Sequence, residues 1–183
     1  MSAATGFCSV GHSNRTIDSF TGILRAAGVT LVVDVRSFPR SRSNPVFNED
    51  VLPGHLARCD IGYRHMGALG GRRPRQEGID DELNGAWRNR SFHNYADYAL
   101  SAPFARAFET LVELGRRERL AMMCSEAVWW RCHRRIVADH LILTGHPVVH
   151  LMGEGREETA RPTPGVLRTE DGRVIYPARP EPG

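Results

Sequence analysis

Apolar residues follow two patterns along this chain: short continuous runs, and longer stretches in which they recur every three or four residues. Short apolar runs are typical of strands that are buried on both faces of a sheet. They occupy residues 7–11, 31–35, 61–66, 120–124 and 147–151. The helical spacing occurs in a segment that ends at Gly28, and again in residues 49–58, 94–100, 101–117 and 132–144.

The order of these segments defines the expected fold. Strands and helices alternate along most of the chain, which is typical of a mostly parallel sheet with helices on both faces. We therefore expect a three-layer α/β/α protein, doubly wound and Rossmann-like, with residues 147–151 as its last strand. The length of 183 residues suits one domain. Residues 1–183 are thus interpreted as a single domain whose C-terminal tail, residues 153–183, wraps its surface.

The composition excludes several classes of protein. All 24 basic residues are arginine, which rules out a Walker A phosphate loop and a pyridoxal phosphate Schiff base, because both need lysine. No apolar run is long enough to cross a membrane, and the N-terminus lacks the pattern of a secretory signal. Four cysteines without the spacing of a secreted disulfide framework favour a reducing compartment, so we expect a cytoplasmic protein.

Polar residues follow several of the predicted strands directly. In parallel sheets, ligands bind beyond the carboxyl ends of the strands, so these positions define a candidate pocket. After the first strand come a histidine and two small polar residues, His12, Ser13 and Asn14. The other candidate binding residues are Asp34, Arg36, Gly70 and Gly71, which have this placement, and three arginines farther along the chain, Arg40, Arg131 and Arg134. Arginine presents planar donor pairs that suit a phosphate or a carboxylate, so we expect a small anionic ligand.

Asp34 interrupts an otherwise apolar run. Burying an unpaired carboxylate costs a large free energy, so this side chain must have a partner in the folded protein. Arg36, two residues later, is one candidate, and a polar loop is the other.

Residues 123–134 contain the densest set of reactive side chains. Cys124 ends a predicted strand, and Cys132 lies in the first turn of the next predicted helix. A helix N-terminus and neighbouring cations lower the pKa of a thiol, which increases its nucleophilicity at neutral pH. We therefore expect Cys124 to act as an attacking thiolate. The candidates for moving protons and for orienting the site are His12, His133 and Glu126.

Two other chemistries fit the same segment. The first is a metal site, in which zinc or iron is bound by Cys124, Cys132 and one histidine, either His133 or His12. The second is a dithiol that switches with redox state, which requires Cα atoms within about 7 Å. Neighbouring residues of a helix point in different directions, so we expect that one site does not use both Cys132 and His133.

Four motifs in this order resemble the DUF488 family, a domain of unknown function. They occupy residues 11–15, 33–41 and 69–73, and residues 124–126 together with 130–134. The likeness extends from about Phe7 to Tyr176. It implies a small cytoplasmic prokaryotic α/β domain whose motifs gather around one pocket, and it names no reaction.

Three hypotheses about function remain open. The leading one is a small enzyme that acts through Cys124 on an anionic substrate, such as a nucleotide. The second is a Cys/His metalloprotein with zinc or iron, either catalytic or sensory. The third is a nucleic-acid-associated binding module that uses the arginines and residues 67–92. A net charge of +3 is low for a dedicated nucleic-acid binder, which argues against the third. The oligomeric state is left open.

Overall fold

Strands and helices alternate in the computed structural model, which describes residues 4–179. The strands are β1 (Gly6–Gly11), β2 (Leu31–Asp34), β3 (Gly62–His65), β4 (Arg119–Cys124), β5 (Val148–Gly153), β6 (Arg156–Thr159), β7 (Leu167–Arg168) and β8 (Val174–Ile175). The α-helices are α1 (Ile17–Ala26), α2 (Leu52–Ala57), α3 (Arg90–Tyr98), α4 (Ala102–Arg117) and α5 (Arg134–Leu143). Every strand and helix predicted before residue 152 is present, with its ends shifted by a few residues.

Six of the strands form one sheet in the order β3-β2-β4-β1-β5-β6. All neighbours are parallel except β5 and β6. Helices α1 and α2 pack on one face of the sheet, where Phe20, Leu24 and Leu56 lie in one core cluster. The other three helices pack on the opposite face, in a second cluster that includes Leu111 and Ile136. The expected three-layer α/β/α fold is therefore confirmed.

The central strands β1 and β4 determine where a ligand site can form. From β1 the chain passes through α1 to β2, and from β4 it passes through α5, on the other face, to β5. Because β2 and β5 lie on opposite sides of the β1–β4 pair, the chain leaves these strands in opposite directions. Such a reversal opens a crevice at the carboxyl ends of the strands. Gly11 and Cys124, the last residues of the two strands, are register partners there.

The C-terminal region contradicts the expectation that residues 147–151 are the last strand. β5 continues to Gly153, β6 pairs with it at the sheet edge, and β7 and β8 form a separate two-stranded sheet. The four residues of β6 are polar and exposed, so no apolar pattern marks this strand. Charged residues are a common feature of edge strands, where they discourage pairing with another chain. Tyr176, farther along, is buried and donates a hydrogen bond to Asp139 of α5 (2.7 Å).

No helix within residues 4–179 combines the length and the apolar character that crossing a membrane requires.

Gly11 allows the chain after β4 to lie directly on the end of β1. A Cβ atom at this position would overlap the backbone carbonyl of Glu126 and would lie 2.8 Å from the Cα atom of Ala127. Only glycine permits this approach, because the obstructing atoms belong to the backbone and not to a flexible side chain. The segment that carries Cys124 and Glu126 is therefore held against β1.

Replacing Gly11 by alanine tests this packing. G11A should lower the free energy of unfolding by about 2–3 kcal/mol, because the two backbone segments must separate. The matched control is G54A, since a Cβ atom at Gly54 meets no atom within 4 Å. That control should raise stability by up to about 1 kcal/mol, as alanine is the better helix former. Urea unfolding measures both variants, and wild-type stability of G11A would contradict the tight contact.

Candidate functional site

A pocket of about 440 Å³ opens at the carboxyl end of the sheet. Its walls come from the loop after β2, from residues 71–72, from the start of α3 and from residues 124–126 and 131–133. The thiols of Cys124 and Cys132 both line it, although only 3% and 5% of these residues is exposed. The pocket is therefore a cleft at the topological switch point with a pair of cysteines in its wall.

The two thiols are in direct contact. The Sγ atoms of Cys124 and Cys132 lie 2.7 Å apart, and both residues are free cysteines. Cys124 ends β4, and Cys132 comes two residues before α5. The two residues are only eight positions apart, so the short segment between them brings the thiols together at one strand end.

Arg134 lies against both sulfur atoms. Its Nε atom is 3.0 Å from Sγ of Cys124 and 3.3 Å from Sγ of Cys132. Its two other nitrogens donate to the hydroxyl of Ser9 (2.7 Å) and to the backbone carbonyl of Glu126 (2.6 Å). Only 1% of Arg134 is exposed, so a full positive charge is buried beneath the pocket.

The groups around Arg134, apart from the sulfurs, carry no negative charge. None of the ion pairs within residues 4–179 includes Arg134. The ring of His150 contacts Ser9, and burial lowers the pKa of His150 to about 4, so it is neutral at pH 7. A buried cation without a counter-charge is costly. The natural counter-charge here is a thiolate of the cysteine pair.

Two further contacts favour Cys132 as the site of that negative charge: its sulfur accepts from the backbone nitrogen of Arg134 (3.4 Å), and Nδ1 of His133 lies 3.5 Å from it. Burial opposes ionisation, but the hydrogen bond from Cys124 and the charges of His133 and Arg134 outweigh it and hold the pKa of Cys132 well below its ordinary value. Burial, and then the hydrogen bond to Cys132, raise the pKa of Cys124 well above its ordinary value. These directions favour a resting pair in which the thiol of Cys124 donates to a thiolate on Cys132. The sequence pattern alone predicts the attacking thiolate at Cys124 instead.

His133 is the histidine that lies at the pocket. Its Nε2 atom donates to the backbone carbonyl of Val35 (2.8 Å), and its Nδ1 atom lies 3.5 Å from Sγ of Cys132. The expectation that Cys132 and His133 would point apart is wrong. It assumed that both residues belong to a helix, whereas Cys132 has extended backbone angles (φ −122°, ψ 147°) and α5 begins only at Arg134.

His12 lies beneath the pocket and not in its wall. Only 2% of it is exposed, and its ring stacks on Phe47. Nδ1 donates to the carbonyl of Ser13 (2.9 Å), and Nε2 accepts from Arg36 (3.3 Å). Burial lowers the pKa of His12, which keeps the ring neutral. Since both ring nitrogens are engaged, His12 supports Arg36, while His133 remains next to the thiolate.

Asp34 and Arg36 form a buried ion pair, so the expectation that Asp34 has a partner is confirmed. Two nitrogens of Arg36 donate to the carboxylate of Asp34, at 2.9 and 2.7 Å. The hydroxyl of Tyr63 donates to the same carboxylate, and Arg36 also donates to the carbonyl of Phe47 (2.7 Å). The donors of Arg36 are thus largely used within the protein, and this pair shapes the loop after β2.

The remaining predicted site residues, the binding residues together with the catalytic candidate Glu126, divide into two groups. Arg40, Arg131, Glu126 and Gly71 line the pocket. Ser13, Asn14 and Gly70 do not line it. The carboxylate of Glu126 accepts from the backbone nitrogen of Val128 (3.3 Å).

Among the exposed pocket residues that sequence reasoning missed are Phe38 and Arg72. Phe38 is 66% exposed, and the Arg72 guanidinium lies 5.4 Å from the centre of its ring. Both line the pocket. The available signal was their position in the loops next to predicted strand ends, but a cluster of arginines is usually a solvated surface.

The alternative metal site receives no support from the geometry. Within residues 4–179, the only group of three potential ligands within 4.8 Å of one another is Asp81, His93 and Asp97, so Cys124, Cys132 and His133 do not form such a group. The guanidinium of Arg134 also contacts both sulfurs, and a second cation there would be repelled.

A family model described as "Domain of unknown function DUF488" matches residues 16–141, which is more than half of the 183 residues. The chain belongs to the DUF488 family. Three of the four motifs recognised in the sequence lie inside this match, and residues 11–15 precede it. Comparisons with curated proteins and with solved structures give no match.

In this DUF488 domain the motifs contact one another through glycines. A Cβ atom on Gly70 would lie 2.7 Å from the Cα atom of Ser37, and one on Gly71 would lie 2.8 Å from Cγ of His133. Gly11 makes the equivalent approach to Glu126. These glycines therefore hold the loops at the strand ends together around the cysteine pair.

Alkylation of Cys132 should persist to lower pH than alkylation of an ordinary thiol. The thiolate reacts and the thiol does not, so the rate falls only as the pH drops through the depressed pKa. Iodoacetamide labelling resolved by peptide mass spectrometry gives the pH profile of Cys132 in the native protein and, as reference, in urea. H133N should move the native profile towards higher pH. Coinciding native and urea profiles would contradict the assignment of the charge.

Removing the charge of Asp34 should strongly destabilise the fold. D34N leaves the buried guanidinium of Arg36 without its counter-charge, which lowers the free energy of unfolding by about 3–5 kcal/mol. The control is D50N, whose exposed ion pair with Arg40 is 3.9 Å long and should contribute less than about 1 kcal/mol. Chemical denaturation measures the free energy of unfolding of both variants. An equal loss in D34N and D50N would contradict the claim that the buried Asp34–Arg36 pair stabilises the fold more than an exposed pair does.

Proposed function

We propose that this DUF488 protein is a small thiol-dependent enzyme that acts on an anionic small molecule, with the Cys124–Cys132 pair as its reactive centre. One observation carries the proposal: the buried guanidinium of Arg134 contacts both sulfurs and, among the described residues, forms no ion pair with a carboxylate. Such an environment stabilises a thiolate at neutral pH. A stabilised thiolate in the wall of a cleft is a typical arrangement for nucleophilic catalysis.

The roles of the three reactive groups follow from their contacts. Cys132 is the nucleophile, because the charge of the pair is concentrated on its sulfur. Cys124 is the neighbouring thiol that donates a hydrogen bond to it. His133 is the proton carrier, since Nδ1 lies 3.5 Å from the sulfur of Cys132 while Nε2 is fixed by the backbone of Val35.

Arginines around the pocket supply the preference for an anion. Arg40, Arg72 and Arg131 are exposed and line it, and Glu126 is the one carboxylate in its described wall. Clefts lined by one sign of charge attract ligands of the opposite sign and speed their association. Phe38 and Phe92 add apolar surface, which suits a substrate with an organic body and a charged end. The substrate proposed here is therefore a small organic anion.

The proposal also fits a reducing compartment such as the cytoplasm. The thiol and thiolate of the pair are both needed in the resting state, and a reducing thiol pool maintains them.

Competition between two alkylating reagents tests the proposal. Iodoacetate is an anion and iodoacetamide is neutral, so the ratio of their rates at Cys132 reports the charge of the pocket. In the native protein this ratio should exceed the ratio in the unfolded chain by about ten-fold. R131Q and R72Q should each lower it several-fold. The control is R58Q, because Arg58 is exposed and lies outside the pocket.

Two results would overturn the proposal. One is a ratio that is the same in the folded and unfolded protein, because the pocket would then have no preference for anions. The other is a Cys132 that fails to react faster than in the unfolded chain at pH 6, because the thiolate would then not be stabilised.

A further inference from the structure

We infer that small anionic disulfides oxidise the Cys124–Cys132 pair to a disulfide by thiol–disulfide exchange. This inference rests on the proposed function and deepens it, because it uses the same thiolate and the same pocket and names the substrate class. It also gives Cys124 a covalent role in addition to the hydrogen bond that it donates to Cys132.

The geometry brings the pair close to the disulfide bond. The sulfurs are 2.7 Å apart, and a disulfide is about 2.05 Å long, so the atoms need to move by less than about 1 Å. Neither cysteine lies inside a helix, because Cys124 ends β4 and Cys132 precedes α5. The bond can therefore form without unwinding a helix.

The reaction proceeds in two displacements. First, the thiolate of Cys132 attacks one sulfur of a disulfide R–S–S–R′, which forms a mixed disulfide Cys132–S–S–R and releases R′–S⁻. Then the sulfur of Cys124 attacks the sulfur of Cys132, which closes the Cys124–Cys132 bond and releases R–S⁻. The proton of Cys124 passes to a leaving thiolate. Two electrons leave the protein pair and reduce the substrate disulfide to two thiols.

Arg134 favours each displacement. Before the first, its Nε atom contacts both sulfurs and stabilises the thiolate of Cys132. After the mixed disulfide forms, Cys132 no longer carries a charge, and Cys124, which lies 3.0 Å from Nε in the dithiol state, is the sulfur left beside the cation. The cation then stabilises ionisation of Cys124, which is the form that attacks.

The same cation makes the protein disulfide easy to reduce. Oxidation of the pair removes the negative charge next to a fully buried guanidinium, so the oxidised state is destabilised relative to the thiolate state. Stabilising the reduced form gives a more oxidising couple. Small anionic thiols therefore restore the dithiol by the reverse displacements, which completes a cycle between two small-molecule pools.

The product formed with 5,5′-dithiobis(2-nitrobenzoate), an anionic disulfide with a coloured leaving thiolate, tests the inference. The variant C59S serves as the background, since Cys59 lies outside the pocket and is partly exposed. In this background we expect two thiolates released per chain and a Cys124–Cys132 link in the peptide map. Adding C124S should reduce the yield to one thiolate and leave a stable adduct on Cys132. Adding C132S should slow the release by roughly ten-fold or more, because the stabilised thiolate is lost.

Charge selectivity and reversibility complete the test. The uncharged 4,4′-dithiodipyridine is not attracted by the arginines of the pocket. R131Q should therefore slow the reaction with the anionic reagent several-fold more than the reaction with the neutral one. Excess reduced glutathione should restore both thiols of the linked protein. If C124S or C132S does not fold, the product of the C59S protein still decides the question.

The outcomes separate this inference from the proposed function. A stable adduct on Cys132 without the Cys124–Cys132 link, or a link that excess glutathione leaves intact, overturns the exchange reaction. The proposed function survives that result if Cys132 still prefers iodoacetate over iodoacetamide. If the link is absent and that preference is absent too, both proposals fail.

Discussion

The arrangement of the site depends on one buried charge. The guanidinium of Arg134 joins Ser9 of β1, Cys124 of β4 and the backbone of Glu126, and it does so where almost no water reaches it. Arginine keeps its charge at every physiological pH, so this cation cannot be neutralised by losing a proton. The fold therefore requires an electron-rich group beside it, and the cysteine pair is that group. Structure and reactivity at this strand end have the same physical origin.

The pattern of apolar residues was sufficient to predict the layers and most of the elements. Continuous apolar runs at β1, β2 and β4 arise because these strands are covered on both faces. The pattern failed at β6, whose four polar residues pair through their backbone at the sheet edge. Backbone pairing leaves no signature in side-chain polarity, so a strand of this kind can be found only from the fold.

The candidate site was predicted by its location more successfully than by the roles of its residues. Three residues singled out at the end of β4 and in the segment after it, Cys124, Arg131 and His133, line the pocket. Arg134 was expected to bind a ligand, but its side chain is buried. Its neighbour Arg135 is partly exposed, and residue type alone does not show which of the two arginines is buried. The direction of a side chain at the start of a helix depends on where that helix begins. α5 begins at Arg134 and not at Cys132. For this reason neither the Cys132–His133 contact nor the burial of Arg134 could be predicted from the sequence.

The contact between Gly71 and His133 joins the loop that carries Arg72 to the imidazole beside Cys132. Arg72, which follows Gly71, reaches the mouth of the pocket, while Gly71 itself packs against the imidazole beside Cys132. A molecule long enough to span from the cysteine pair to Arg72 would hold this backbone segment, and with it the imidazole, in place. A shorter molecule would make no contact with Arg72. The distance between the reactive atom and the charged group of a substrate thus becomes a criterion of selection, in addition to charge.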